Sequence, residues 1–464
     1  MNYLYKYPIT TILFSLLMFT ANAQHELGVH FMEDIWQSGQ TNPAFMNDQK
    51  VVIALPSVYA RFYHSGFTFE DAFRENGDEL SFNLDNAITA LEDKNDLNVN
   101  LNIDVLGVAL RFDDIQVGLS WSVKGNAYTQ YTRETLDLFW NGNADYVGRT
   151  ANINPEFQFT AYNEIGLSGA YNWQDKFTFG AKIKYLTGIS DTSTDGDNTL
   201  SLTTSDDVYQ ISYDSDFSFR RAGFSQAADF AELTENDFSL YNLNDLTGGN
   251  NGFGIDLGVT ANLIDRLTLS VAVTDLGRIS WKNETYEYNS KGIYTYEGLD
   301  LFDYVSSDTL DSDRLADDFE QVLDTIAEIL DIRSTASDGY TTSLNTKAYL
   351  SGSYEVLDDL TIGALIYIEN ANKSTQPGFA LSARKKFGKW FTLGASYAFR
   401  SQRFDNLGLN AVAHLGPVQI YAVSDNIAPL FKPLDSKNYN FRVGLNLAFG
   451  RISDTKSQTS ELTR

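Results

Sequence analysis

Phe177-Thr178-Phe179-Gly180-Ala181-Lys182-Ile183-Lys184-Tyr185 alternates two kinds of residue along its whole length. Successive side chains of an extended strand point to opposite faces. The stretch therefore predicts a strand with Phe177, Phe179, Ala181, Ile183 and Tyr185 on one face. Thr178, Gly180, Lys182 and Lys184 share the other. The opening of this strand, apolar–polar–apolar–small after a short polar turn, returns along the chain. Copies start at Ile115-Gln116-Val117-Gly118, Leu267-Thr268-Leu269-Ser270, Leu360-Thr361-Ile362-Gly363 and Phe391-Thr392-Leu393-Gly394. A sixth, Val418-Gln419-Ile420-Tyr421, closes on an aromatic residue instead.

Ahead of each copy stands another alternating run, such as Leu106 to Phe112 or Phe379 to Phe387. The turns between the runs are tight: Asp113-Asp114, Gln174-Asp175, Ile264-Asp265, Asp358-Asp359, Gly388-Lys389 and Gly416-Pro417. The other connections are long and very unequal. Six hairpins supply 12 strands, and Val51–Phe62 before them and Tyr439–Phe449 after them bring the count to about 14. The layout predicts an all-β fold, a transmembrane antiparallel up-and-down β-barrel with its apolar face to lipid and its polar face to the lumen. A soluble sandwich would also alternate, with the two faces inverted.

The N-terminus, the composition and the absence of cysteine favour the membrane reading. Residues 1–23 read as a signal peptide: Lys6, an apolar stretch from Ile9 to Thr20, and Ala21-Asn22-Ala23 as the cleavage site. That run is short for a spanning helix, and no later segment approaches the ~20 apolar residues one needs. A spanning chain without such helices must satisfy its backbone by closing a barrel. Aromatic residues make up 14% of the chain, yet the mean hydropathy is only −0.26, as half-apolar strands require.

The net charge is −27, which argues against a nucleic-acid partner. The charge is concentrated. Residues 191–250 hold 12 acidic and 2 basic residues, and residues 283–340 hold 15 and 3. Both are long connections, expected to be extracellular if the tight turns are periplasmic. They are also the expected docking places for a protein partner; outer-membrane lipid is the other expected partner. Within the second, Leu315, Phe319, Val322, Leu323, Ile326, Ile329 and Leu330 fall on one face at helical spacing. Such a helix would cap the barrel mouth or dock a partner. Asn83–Leu91 and Ala227–Phe238 are weaker helical candidates, and residues 199–219 alternate well enough to add strands.

The segment Thr41-Asn42-Pro43-Ala44-Phe45, just before the first strand, carries a resemblance. It is similar to the Asn-Pro-Ala segment of FadL-type outer-membrane barrels. The chain more closely resembles an uncharacterised family of outer-membrane barrels from Bacteroidota. The residues that carry this are the Ala23-Gln24 junction, the Asn-Pro-Ala segment, Ser65-Gly66-Phe67, and a last strand from Asn440 to Gly450. The resemblance implies 14 strands and an N-terminal hatch, residues 24–50, folded into the lumen with Asn42, Pro43, Ala44 and Phe45 at its centre. It implies a hatch-gated channel for a small, possibly hydrophobic substrate. The alternatives are a non-conducting accessory or anchoring barrel of a secretion, gliding or surface-attachment complex, and a structural outer-membrane protein. The barrel itself would span residues 51–449. Residues 450–464 form a polar periplasmic tail, a departure from barrels that end on an aromatic residue.

Chemistry is sparse. The four histidines are His25, His30, His64 and His414, and no serine stands at a spacing that makes a nucleophile of any pair, so no enzymatic activity is expected. Asp191, Ser193, Asp195 and Asp197, with Gly196 between, resemble the oxygen-ligand half of a calcium loop, but Leu202 stands where a bidentate Glu is needed. A solvated turn explains the same residues. No other cofactor is expected. Lys182, Lys184, Arg384, Lys386 and Arg442 all fall on polar strand faces. They would line an anion path or pair with acidic groups such as Asp256 and Glu369; pairing is favoured, because an unpaired interior charge is costly.

Overall fold

The computed structural model describes residues 27–452 apart from 77–78, 83, 195, 197, 207–209, 224–248, 297–328, 372–373 and 401–402. Fourteen strands form one closed ring. They are β1 (Gln49–His64), β2 (Lys94–Phe112), β3 (Ile115–Thr132), β4 (Glu156–Trp173), β5 (Phe177–Thr194), β6 (Asn251–Ile264) and β7 (Leu267–Trp281), followed by β8 (Thr346–Leu357), β9 (Leu360–Ala371), β10 (Ser374–Phe387), β11 (Phe391–Arg400), β12 (Arg403–Leu415), β13 (Val418–Ser424) and β14 (Asn438–Arg451). Each pairs antiparallel with the next. β1 also pairs with β14, from Gln49 opposite Arg451 to Tyr63 opposite Asn438, so the sheet has no free edge.

The turn chemistry explains the short connections. Gln174 and Asp175 both take positive φ, +56° and +55°, the handedness that matches the twist of the flanking strands. Gly388 and Gly416 reach +64° at no steric cost. One boundary differs from the sequence expectation. Ile264 stays in β6 opposite Leu267, and the turn is Asp265-Arg266, with Arg266 at φ +65°.

The faces are inverted relative to a soluble protein. Leu106, Leu119, Leu167, Ile183, Val271, Leu350 and Ile366 are exposed on the outside, while Lys184, Asp256, Arg442 and Asn446 are almost fully buried within. Phe112, Trp173, Phe387, Trp390 and Phe449 are exposed near the tight-turn end, where barrels carry an aromatic girdle. This is an outer-membrane β-barrel.

Two of the register slips in the wall bear on the lumen. Pro56 cannot donate to a ladder, and the β1–β14 register slips between Ala54 and Ser57. The β6–β7 register also slips: Leu257 faces Val273 but Ile255 faces Leu276. The extra residue is Asp275, at φ +58°. It inverts the parity of β7, so Ile279 and Trp281 are buried beyond it where an unbroken alternation would expose them.

The long connections carry structure of their own. Strand Ile211–Ala222 pairs along its length with Thr285–Tyr296 and in part with Thr199–Thr204, and its end pairs with Asp191–Thr194 of β5. Residues 199–219 thus add strands outside the ring of fourteen. Helix Asp85–Ala90 falls in the expected Asn83–Leu91 segment. A helix that the sequence reading did not anticipate, Arg133–Asn141, starts on the Thr132 cap, whose hydroxyl accepts from the Thr135 N–H. Residues 315–328 of the candidate helix 315–330, the candidate at 227–238, the leader and residues 453–464 lie outside the described residues.

Candidate functional site

Residues 27–48 lie inside the ring. They form two short 3-10 turns, Gly28–Phe31 and Trp36–Gln40, and Leu27, Val29, His30, Met32, Ile35, Gln37, Thr41, Asn42 and Ala44 are all buried. Too short to hold itself together, the segment takes its shape from the wall. Leu27 and Phe31 pack with Tyr349, Leu365 and Tyr367, and Val29, Met32 and Ile35 pack with Val412, Tyr421 and Val423.

Polar groups fix it at several points. The Leu27 and Gly28 N–H groups donate to the Asp425 carboxylate at 3.0 and 2.7 Å. Gln37 and Asn446 exchange two amide hydrogen bonds, 2.7 and 3.0 Å. Gln40 donates to both Asp104 oxygens, and Gln419 donates to the Asp34 carbonyl at 2.9 Å. His30 contacts the Thr41 hydroxyl through Nδ1 (3.0 Å) and the Ser351 hydroxyl on β8 through Nε2 (2.8 Å), and its ring stacks on Tyr349. Burial lowers the His30 pKa to about 3, so the imidazole is neutral.

The Asn-Pro-Ala-Phe segment is a turn pressed against the wall. The Asn42 side-chain oxygen accepts from the Ala44 N–H at 2.9 Å, and the Phe45 N–H donates to the Asn42 carbonyl at 3.0 Å. Pro43 sits over Gly180 of β5 and Gly258 of β6. A Cβ at Gly180 would overlap the Pro43–Ala44 backbone, and one at Gly258 would overlap the Asn42 side chain. The same holds around the barrel: Gly107 and Gly118 face the Trp36 ring, and Gly363 faces Phe31. The small residue that closes the repeated strand opening is therefore a socket for this segment in three of its copies, Gly118, Gly180 and Gly363. In a fourth, the Ser270 hydroxyl meets Ser351, the partner of His30, at 2.7 Å.

Above the segment is a chamber of about 110 Å³, open to solvent. Trp36, Gln40, Pro43 and Phe45 line it from the segment; Arg61, Asn98, Asn100, Asn102, Asn126, Glu164, Lys184, Asp275 and Lys347 are among the wall residues.

The five basic residues expected in the lumen fall into three places. Lys182 and Lys184 belong to a buried network on one wall. Glu164 accepts from Lys124 and Lys182, each at 2.6 Å. Lys184 reaches Asp256 at 2.7 Å and Asp275 at 2.5 Å, and Lys347 reaches the other Asp275 oxygen at 2.5 Å. The Asp275 bulge is what delivers this carboxylate to the lumen, and the Asp275 N–H donates to Asp256 at 2.7 Å. Arg384 and Lys386 stand instead beside the N-terminal segment, Arg384 3.8 Å from Asp34 and from Glu33 and Lys386 3.5 Å from Asp34. Burial raises the Asp34 pKa, but Arg384, Lys386 and a 3.0 Å bond from the Thr392 hydroxyl outweigh it, and the net shift is downward. Arg442 pairs with Asp104 at 2.6 Å and lies over the Tyr59 ring. Of the acids named with these cations, Asp256 contacts Lys184, while Glu369 accepts from the Tyr367 hydroxyl at 2.6 Å.

Sequence reasoning missed Lys124, Glu164, Asp275 and Lys347, and the row of Asn98, Asn100 and Asn102. The asparagines could have been found, because they alternate with Val99, Leu101 and Ile103. Asp275 could not, because its position depends on the bulge. Of the four residues at calcium spacing, two are described. Asp191 and Ser193 lie in the extended end of β5, and Asp191 accepts from the Thr160 and Tyr340 hydroxyls at 2.6 and 2.9 Å; Asp195 and Asp197 lie outside the described residues. No group of three or more metal-ligating side chains occurs among the described residues. His414 approaches Gln419 at 3.5 Å.

Comparison with known proteins follows the geometry. No curated protein matches the chain. Among solved structures it is similar to the TodX monoaromatic hydrocarbon channel in a deltaS2 mutant, at 12% identity and a TM-score of 0.42 over 88% of this chain and 93% of that one. It is similar to a Pseudomonas aeruginosa FadL homologue at 12% identity and a TM-score of 0.40, over 88% and 93% of the two chains. The P. putida toluene transporter TodX matches at 11% identity and a TM-score of 0.41, over 89% and 94%. A family model described as "Family of unknown function (DUF5723)" matches residues 43–425, most of the chain, and the protein belongs to that family.

Proposed function

We propose that the protein is a hatch-gated outer-membrane channel for a small solute, with the segment 27–48 as its gate. The observation that carries this reading is how that segment is held. It adds no strand to the ring, and it sits in glycine sockets behind side-chain hydrogen bonds and small apolar contacts. Such contacts are individually worth about 0.5–1.5 kcal/mol and can be broken without opening the barrel sheet. Closure of the ring without an edge keeps the wall intact while the gate moves.

In this reading the tight turns are periplasmic and the long acidic connections, residues 191–250 and 283–340, face outward. Lipid contacts the apolar exterior. The passage of a hydrophobic solute, as the resemblance to FadL-type barrels implies, and an accessory or anchoring role for the outer connections remain other readings of the same architecture. The paired outer strands Ile211–Ala222 and Thr285–Tyr296 favour the second as a platform for a protein partner. Deleting Gln24–Asn47 should raise single-channel conductance in planar bilayers above that of the full chain. Equal conductance, with the deleted protein still forming a heat-modifiable barrel, would remove the gate.

A further inference from the structure

We infer that the chamber above the gate is a binding site for a neutral, polyhydroxylated solute such as a sugar. The inference rests on the channel reading for its purpose but not for its chemistry, which comes from the lining.

The first observation is the state of the charges. The cations of the chamber wall that carry ion pairs are already committed. Lys124, Lys182, Lys184 and Lys347 each lie within 2.7 Å of Glu164, Asp256 or Asp275. A charged solute would have to break one of these buried pairs to gain a lysine or its acid as partner, and the Arg61 guanidinium is turned to the Asn98 and Asn100 carboxamides. The network therefore favours neutral solutes over ionic ones.

The second observation is the amide row. Asn98, Asn100 and Asn102 stand at alternate positions of β2 and all line the chamber, with Asn126 across on β3. Asn98 and Asn100 accept from the Arg61 guanidinium at 3.2 and 3.0 Å, and Asn100 donates to Asn126 at 2.8 Å. These bonds orient the carboxamides without exhausting them, because each has two N–H donors and two acceptor lone pairs. A hydroxyl both donates and accepts. A pair of vicinal hydroxyls can therefore meet an amide in both senses, which neither a carboxylate nor an ammonium group can do. An apolar solute would cover the row and return no hydrogen bonds.

The third observation is the floor. The Trp36 indole, held between Gly107 and Gly118, and the Phe45 ring line the chamber from below. Flat aromatic surfaces pack on the C–H faces of a sugar ring while its hydroxyls point sideways to polar walls. Because Trp36 belongs to the gate, a solute lying on it would couple binding to gate position.

The test uses the full chain in detergent micelles. Calorimetric titration with sucrose, with glutamate and with toluene, each against protein-free micelles, should give a saturable heat for sucrose alone. Asn100→Ala with Asn102→Ala should weaken sucrose binding by about tenfold or more, the loss expected from about one net hydrogen bond. Trp36→Ala, in the gate and outside the barrel wall, is the second variant and should weaken it as well. Saturable binding of glutamate or toluene in place of sucrose, or no heat from sucrose, would overturn the assignment. Failure of sucrose to bind, with a conductance that still rises on deleting Gln24–Asn47, would discard the ligand class and leave the gate standing. Sucrose binding without that rise would do the reverse.

Discussion

Two sets of contacts line the lumen, and they are built differently. The wall-to-wall network of Lys124, Lys182, Lys184, Lys347, Glu164, Asp256 and Asp275 is compact, with separations of 2.5–2.7 Å between strands already joined through the sheet. The gate-to-wall contacts are looser. Their charge pairs, Arg384 and Lys386 with Asp34, stand at 3.8 and 3.5 Å, and the rest mix neutral bonds such as Gln37 with Asn446 and single charge-assisted ones such as Gly28 to Asp425 and Gln40 to Asp104. The difference separates two tasks. Short, shared ion pairs suit holding the shape of a wall, while dispersed hydrogen bonds and glycine sockets suit the movable segment proposed above.

The largest effect should follow from breaking the wall network. Asp275→Asn leaves Lys184 and Lys347 without a major partner, and loss of one side of a buried pair costs about 3–5 kcal/mol. The heat-modifiable barrel band on gels should convert at a clearly lower temperature. An unchanged transition would mean that the network does not hold the wall.

A smaller effect should come from filling a socket. Gly180→Val places a side chain where the Pro43–Ala44 backbone lies. Overpacking of that kind costs about 1–3 kcal/mol. Here it falls on gate docking, so open-channel probability should rise about 5- to 150-fold. The barrel transition temperature should barely move. If stability falls and conductance does not rise, the two sets of contacts are not separable in the way their geometry indicates.

The smallest effect should be the response to acid. Free of the wall, His30 titrates near its ordinary 6.5; docked, burial holds it to about 3. The docked state binds fewer protons, so docking is complete above pH 6.5 and weakens as pH falls toward 3. The slope is at most about 1.4 kcal/mol per pH unit. Asp34, whose pKa lies below its ordinary value, adds to the weakening only at lower pH, where its carboxylate protonates. Glu33, raised chiefly by desolvation, acts in the opposite sense. His30→Gln isolates the histidine. Conductance should rise between pH 6.5 and 5 in the parent and much less in the variant, and equal rises would assign the response to other groups.

Much of the architecture was legible in the chain. Strand alternation, turn chemistry and the last strand from Asn440 to Gly450 led to the ring of fourteen. The apolar faces beginning at Phe177 and Leu267 are the exposed ones. The candidate site was legible only in pieces. Lys182 and Lys184 were placed on a polar face, but their partner Asp275 was not, because one inserted residue inverts which side of β7 meets the lumen. The asparagine row was visible in the alternation yet carried no motif to draw notice. Of Asp191, Ser193, Asp195 and Asp197, the first two belong to an extended strand and the others lie outside the described residues.

The repeat that defines the hairpins shows where the division lies. Period two, turn residues and clustered charge are local properties, and they settled strand number, closure and the inversion of the faces. In three of the copies the fourth residue is glycine for a reason that no local pattern contains. Gly118, Gly180 and Gly363 lie far apart in the chain, and only closure of the ring brings them around one buried segment. A glycine has no side chain with which to announce its neighbour. What it makes room for emerges when distant strands meet.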